Sequence, residues 1–334
     1  MAKNTNSNAP AIKQGKWAYT WHLMKMNKGC YGLLAPFMIL FIIFTIIPVV
    51  MSLPIGFTNF NMVQTPKWVG LSNFYTLFLN DDVFMTAVRN TLIFAIFTGP
   101  FSYILSFIIA WLINEMHPFL KTFFTFVFYA PSMTTSVYVT WQLILSGDSY
   151  GYINAIMMDI GLFNEPVQFL TDKKYILAVV IIVQLWISMG AGFLAIRAGF
   201  QNIDKSMYEA GAIEGIKNRW QELFTITIPS MGPQLLFAAV MQISTSFTVG
   251  VVGQNLVGLP STDYAAHTIM NHATDYGNTR YEMGYAAAIC FVLFAAMLLA
   301  NKAVNWLLGK YLDLGGEFPK WQKRKRRRIL KSLG

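Results

Sequence analysis

The sequence predicts an all-α, polytopic membrane protein with six transmembrane helices, and three observations carry that reading. Of the 334 residues, 55% are hydrophobic. Only 12% are charged, about half the share a soluble domain carries. The apolar residues gather in six long runs, near 32–55, 91–113, 123–145, 175–194, 235–259 and 283–308. A run of about 18 or more such residues is long enough to cross the hydrocarbon core as a helix. Helix is the expected form because lipid offers no water to unpaired backbone groups.

The elements follow in order. The N-terminal segment, 1–29, carries Lys3, Lys13, Lys16, Lys25 and Lys28 with no acid, which places it in the cytoplasm. The first run is long enough to span and has no small-x-small site close behind it, so it reads as a retained helix rather than a cleaved signal. The membrane domain, 30–310, has outer loops at 57–88, 146–174 and 260–282. In the first of these, Trp68 to Phe74 fits an interfacial turn leading to a short amphipathic piece. Pro36, Pro48, Pro54, Pro100 and Pro131 interrupt the runs and read as kinks that neighbouring helices can re-satisfy. On this topology the outer cations are Lys67, Arg89, Lys173, Lys174 and Arg280, which leaves 20 of the 25 Lys and Arg inside. This topology puts both termini in the cytoplasm. The tail, 311–334, contains six consecutive cations from Lys323 to Arg328. It is expected near anionic lipid headgroups, where each cation contributes roughly 1 kcal/mol. The net charge of +9 lies mostly in the two termini, and no basic folded surface points to nucleic acid. Cys30 and Cys290 are the only cysteines. Their placement offers no disulfide framework and no redox role.

The loop at 199–233 has its own local logic. Asp204 can cap a helix, and Ser206 with Glu209 matches a capping box, so the start lies at either residue. Tyr208, Gly211, Ala212 and Gly215 fall on one narrow helical face. Gly211 costs about 1 kcal/mol against Ala inside a helix, so a close approach is expected there, and Gly215 can end the helix in a left-handed conformation. A second helical piece over 217–227 puts Trp220, Leu223 and Phe224 on one side. On these grounds alone the loop reads either as a docking surface or as a solvated hairpin whose charged face is Glu209, Glu214, Lys217, Arg219 and Glu222.

The order Glu209-Ala210-Gly211, Gly215, then Ile226-Thr227-Ile228-Pro229 resembles the loop motif of ABC-importer permeases, E-A-A-x-x-x-G followed by I-x-L-P. The chain departs from that pattern at Gly211, Glu214 and Ile228, and its Gly-to-Ile spacing is one residue longer. The run from Gly215 to Gln221, with Pro229-Ser230-Met231 after it, is similar to the carbohydrate (multiple-sugar and oligosaccharide) branch. The resemblance implies a type I ABC importer permease fold over roughly 30–310. It also implies a second, homologous permease as partner, a cytoplasmic ATPase dimer and an extracytoplasmic binding protein that delivers substrate. In this family the loop forms a coupling helix that docks in the ATPase. The resemblance places Tyr208, Glu209, Ala210, Gly211, Glu214 and Gly215 in that helix, with Glu209 as the charged contact and small Ala210 and Gly211 allowing close approach.

Transport also needs a polar site inside the bundle. Gln184, Trp186 and Ser188 lie on the fourth run, Gln242, Ser244, Thr245, Ser246 and Thr248 on the fifth, and Tyr138, Trp141 and Gln142 on the third. Amides, hydroxyls and aromatic faces without formal charge suit a sugar. The expected substrate residues are Tyr138, Gln142, Gln184, Ser188, Gln242, Thr245 and Ser246; bonding between helices is the other reading of the same side chains. A phosphate-cradling G-x-x-x-x-G-K-[ST] loop is missing, as are nucleophile–base and paired-carboxylate patterns, so no enzyme and no cofactor is expected in this polypeptide. His267 and His272 at five-residue spacing make a poor metal pair. The competing readings are an ABC permease for a non-sugar solute and a secondary transporter; the latter would want an intramembrane carboxylate, and Glu115 and Glu282 lie only at span edges.

Overall fold

The computed structural model describes Met24 and residues 27–311. The basic tail and most of the N-terminal lysines lie outside the described residues. The chain divides into two units, Met1–Pro54 and Ile55–Gly334. In the first, α1 (Lys28–Phe41), a π turn (Ile42–Ile46) and α2 (Ile47–Ile55) run on as one apolar helix. Its most apolar stretch is exposed on every side, the pattern of a helix whose surroundings are themselves apolar.

The second unit opens with Thr58 bridged to Trp68 and Phe57 stacked on Trp68 at 5.5 Å. It continues through α3 (Ser72–Leu79), α4 (Asp82–Asn114), α5 (Pro118–Tyr129), α6 (Ser136–Ile144), α7 (Tyr152–Asp159), α8 (Lys173–Ile187) and α9 (Ala191–Gln201). The loop helices α10 (Lys205–Ile213), α11 (Arg219–Glu222) and α12 (Ile228–Ser230) follow, then α13 (Gly232–Phe247), α14 (Gly250–Val257), α15 (Ile269–Thr274) and α16 (Met283–Tyr311). Among the described residues there is no β-strand beyond the isolated bridge.

Helices α4, α9 and α13 form the packed centre. The buried face of α4 is rich in small residues, Ala87, Gly99, Ser102, Ser106 and Ala110, which let backbones approach closely where lipid supplies no hydrophobic drive. A Cβ at Gly199 would sit 2.7 Å from Met231 Cε and 3.2 Å from Gln234 Cβ, so α9 can meet α13 only through glycine.

Among the described residues, four helices are long and apolar enough to cross a membrane: Lys28–Ile55, Asp82–Asn114, Lys173–Gln201 and Met283–Leu308. A fifth results if Arg219–Ser230 and Gly232–Phe247, bent by 82°, count as one span. The expected third run, 123–145, is not continuous: a 3-10 turn (Ala130–Met133) separates α5 from α6. The fifth run is interrupted between Phe247 and Gly250. Pro131 accounts for part of the first break, because it supplies no backbone N–H.

A buried polar chain ties the loop of 260–282 to the start of α4. His267 Nε2 lies 3.2 Å from His272 Nδ1, and His272 Nε2 lies 2.9 Å from Asp81 Oδ2. Tyr285 donates to the same oxygen at 2.8 Å, while Asp81 caps α4 by accepting from the Phe84 amide. Burial alone pushes the Asp81 carboxyl up, but hydrogen bonds from Phe84, Tyr285 and His272 outweigh it and hold the carboxyl below its ordinary value. Burial, and then repulsion from His272, lower His267 to about 4. Its Nδ1 is buried without a partner among the described residues, so a second ring proton would find no acceptor there. Two acid windows follow. Between pH about 6.5 and about 4 the unfolded His267 takes a proton that the folded one refuses, which removes up to about 3 kcal/mol of stability. Asp81 contributes stability above its ordinary pKa and loses it as pH falls through its lower folded value. Melting temperature measured against pH on the detergent-purified chain checks the first window: wild type declines across it, and His267→Gln flattens the decline. Equal slopes for the two proteins would refute the assignment.

Candidate functional site

Three helix interruptions converge on one cavity. They are the Ala130–Met133 turn, the Ser188–Gly190 break between α8 and α9, and the break after Phe247. Freed carbonyls at each are satisfied locally. Ser132 Oγ donates to Tyr129 O at 2.7 Å, Ser188 Oγ to Leu185 O at 2.7 Å, and Thr248 Oγ1 to Thr245 O at 3.1 Å. The cavity measures about 350 Å³ and is lined by Tyr129, Ser132, Tyr138, Gln184, Ser188, Thr245 and Thr248 over an apolar floor of Ile187, Val251 and Val252. No lining residue carries a formal charge. Amide and hydroxyl groups beside tyrosine rings on an uncharged wall suit a hydroxyl-rich neutral solute.

Of the expected substrate residues, Tyr138, Gln184, Ser188 and Thr245 meet in this cavity. The other three do not. Gln142 Nε2 donates to Asn255 O at 2.8 Å, tying α6 to α14. Gln242 is buried and donates to Ser106 Oγ at 3.1 Å and to Ser188 O at 3.2 Å. Ser246 donates to Ile243 O at 2.7 Å. Gln242 and Ser246 border instead an apolar cleft between α4, α13 and α16. Tyr129 and Ser132 went unforeseen, although Pro131-Ser132-Met133-Thr134-Thr135-Ser136 interrupts the apolar run with turn-forming residues.

The loop after α9 is built around α10. Asp204 is the N-cap, accepting from the Ser206 amide at 3.0 Å, so Ser206 lies inside the helix and no capping box forms from it. Gly215 (φ +94) ends the helix. Ile216 N bonds Gly211 O at 3.0 Å and Gly215 N bonds Ala212 O at 3.3 Å, the paired closure of a Schellman cap. The expected small-residue face divides: Gly211 and, in part, Tyr208 turn inward, while Ala212 and Gly215 are exposed. Gly211 is buried, and a Cβ there would lie 2.6 Å from Ile226 Cδ1. Tyr208 OH is 3.2 Å from Thr227 Oγ1. The outward face is Met207, Glu209, Ala210, Ile213 and Glu214; Ile213 is 88% exposed. The second piece is shorter than expected: α11 passes into a π turn, Leu223–Thr227. Leu223 is buried, while Trp220 and Phe224 are exposed. Trp220 packs on Trp111 at 5.2 Å, and Arg219 pairs with Glu115 at 3.3 Å, which fixes the loop to the end of α4.

No family model matches the chain. It is 28% identical over 297 residues to the probable ABC transporter permease protein YesP of Bacillus subtilis, covering 86% of this chain and 91% of that one. It is 30% identical over 209 residues to the lactose transport system permease protein LacF of Rhizobium radiobacter, covering 62% of this chain and 68% of that one. Among solved structures, a bacterial ABC transporter involved in the import of the acidic polysaccharide alginate superposes with a TM-score of 0.66 at 26% identity, over 85% of this chain and 98% of that one.

The loop geometry predicts local costs. Gly215→Val forces a β-branched residue into a left-handed conformation and destabilises the α10 terminus by about 1–2 kcal/mol. Asp204→Ala removes a cap for about 1 kcal/mol. Hydrogen exchange over 205–216 should quicken in both variants while α4 and α13 keep their protection.

Proposed function

The chain belongs to the permease family of ABC transporters, and from that premise we propose that it is the transmembrane subunit of an importer for a neutral oligosaccharide. It crosses the membrane six times, with α5–α6 and α13–α14 each forming one broken span and both termini in the cytoplasm. It pairs with a second, homologous permease above a cytoplasmic ATPase dimer, and an extracytoplasmic binding protein delivers substrate. ATP hydrolysis belongs to the ATPases; this subunit supplies the path.

The observation that carries the coupling reading is the exposed α10. Gly211 is packed against Ile226, and the other face of the helix presents Glu209, Ala210 and Ile213 to solvent. Glu209 is the charged contact, Ala210 permits close approach, and Glu214 extends the acidic edge. Tyr208, Gly211 and Gly215 hold the helix on the loop rather than touching the ATPase. Motion of the docked ATPase is passed through the bent junction at Met231 into α13, which borders the cavity.

The uncharged lining favours a neutral sugar, in contrast with the acidic polysaccharide handled by the alginate transporter. Tyr138, Gln184, Ser188 and Thr245 are assigned to substrate, with Tyr129 and Ser132 added; Gln142, Gln242 and Ser246 position helices around it. Dipole-bearing broken helices around a cavity are a recurrent way to build a transport site.

Two outcomes test this. In proteoliposomes holding the whole complex, Glu209→Lys should leave membrane insertion intact, with ATP hydrolysis persisting while uptake falls about tenfold or more; full uptake by that variant would sink the assignment. Gln184→Ala should weaken uptake of a neutral oligosaccharide about tenfold, the loss of one buried hydrogen bond. Uptake of uronic-acid oligomers in preference to neutral ones would show that the cavity reading is wrong.

A further inference from the structure

A second cleft, of about 480 Å³, runs along α5 from Tyr129 to Pro118 and is closed on its far side by Arg197 and Gln201 of α9. Arg197 is 4% exposed. Its Nε donates to Thr125 Oγ1 at 3.3 Å, and Thr125 in turn donates to Lys121 O at 2.6 Å, which fixes the guanidinium plane. Its Nη1 is buried and has no partner among the described residues. Lys121 is half-buried one turn along the same face. No carboxylate lines the cleft, and neither cation joins an ion pair among the described residues.

A buried guanidinium without a counter-charge is costly, and removing its partner from such a site is strongly destabilising. The arrangement therefore calls for an anion. The start of α5 adds to the positive field: Pro118 opens the helix at one end of the cleft, and His117 makes no side-chain cap, so the positive end of the helix dipole lies beside this region. Guanidinium and ammonium groups on one wall suit a ligand with several acceptor oxygens.

We propose that the α5–α9 cleft is an anion site that takes a phosphate group, with Arg197 Nη1 and Lys121 Nζ holding its oxygens. The site lies at the loop end of the bundle, since α9 ends at Gln201 just before the Asp204 cap and Glu115 pairs with Arg219 there. On the orientation proposed above that is the inner leaflet, where both an anionic phospholipid headgroup and a free phosphate can reach it. The proposal needs neither the substrate nor the coupling assignment.

The test uses the whole purified complex with Lys121→Gln, Arg197→Met and Arg197→Lys. One arm extracts it from phosphatidylglycerol nanodiscs and counts retained lipid by native mass spectrometry, with phosphatidylcholine as control. The other titrates lipid-stripped complex with inorganic phosphate and follows melting temperature. We expect Lys121→Gln and Arg197→Met each to weaken one of these about tenfold, and Arg197→Lys to retain most of it. Loss of phosphatidylglycerol identifies a lipid as occupant; loss of the phosphate response alone identifies a soluble one. Lys121→Gln keeps the test open should Arg197→Met fail to fold. The proposal is overturned if neither probe responds to either substitution. It is equally overturned if carbodiimide links Lys121 to a carboxylate of the partner permease, because a protein side chain then fills the cleft.

Discussion

Inside a bilayer every backbone N–H and C=O must find a partner within the protein, and the arrangement of this chain follows from that. A helix can be interrupted at membrane depth only where side chains recapture the freed groups or where the interruption faces a cavity. Both happen here at one place. Ser132, Ser188 and Thr248 each cover carbonyls near a break, and all three line the same space. The polarity of the cavity is thus partly a by-product of breaking helices: the hydroxyls that repair the backbone also line the cavity.

The centre and the loop are joined by unusually close contacts. Gly199 lets α9 approach Met231 at the foot of α13, and Gln242 bonds α13 to both α4 and the Ser188 carbonyl. Ile226, buried beside Gly211, lies only a few residues before that foot. A close-packed interior with few voids transmits displacement rather than absorbing it. The segment from α10 to the cavity wall is packed in this way, with the 82° bend setting the direction in which a push on the loop would turn α13.

Hydropathy made the rough position of the apolar stretches legible, because transfer free energy sums over residues regardless of shape; it did not fix how many continuous spans they make. It could not show where α5–α6 and α13–α14 bend, since a bend changes no residue's polarity; only Pro131 and the polar run behind it hinted at one. The ends of α10 were legible because Asp204 and Gly215 act through local backbone geometry. Which face of α10 points outward was not, because small residues serve a close approach equally well to a neighbour within the chain or to one outside it. Gln142 and Gln242 show the same ambiguity for amides, which bond a helix or a solute with the same atoms. Arg197 lies just past the end of the fourth apolar run, so its burial and its missing partner are facts of three dimensions.

The π turn over Leu223–Thr227 bears on how the loop motif is aligned. Counted along the chain, the stretch from Gly215 to Ile226 is one residue longer than the family pattern. In an ordinary α-helix an extra residue rotates everything beyond it by about 100°, which would carry Pro229 and the start of α13 to the wrong side. A π turn takes up a single added residue as one widened loop of backbone. Here the α10 half of the motif ends at Gly215 and non-helical residues follow to Asn218, so the π turn sets the angular phase of Pro229 and the start of α13 relative to α11 rather than to α10.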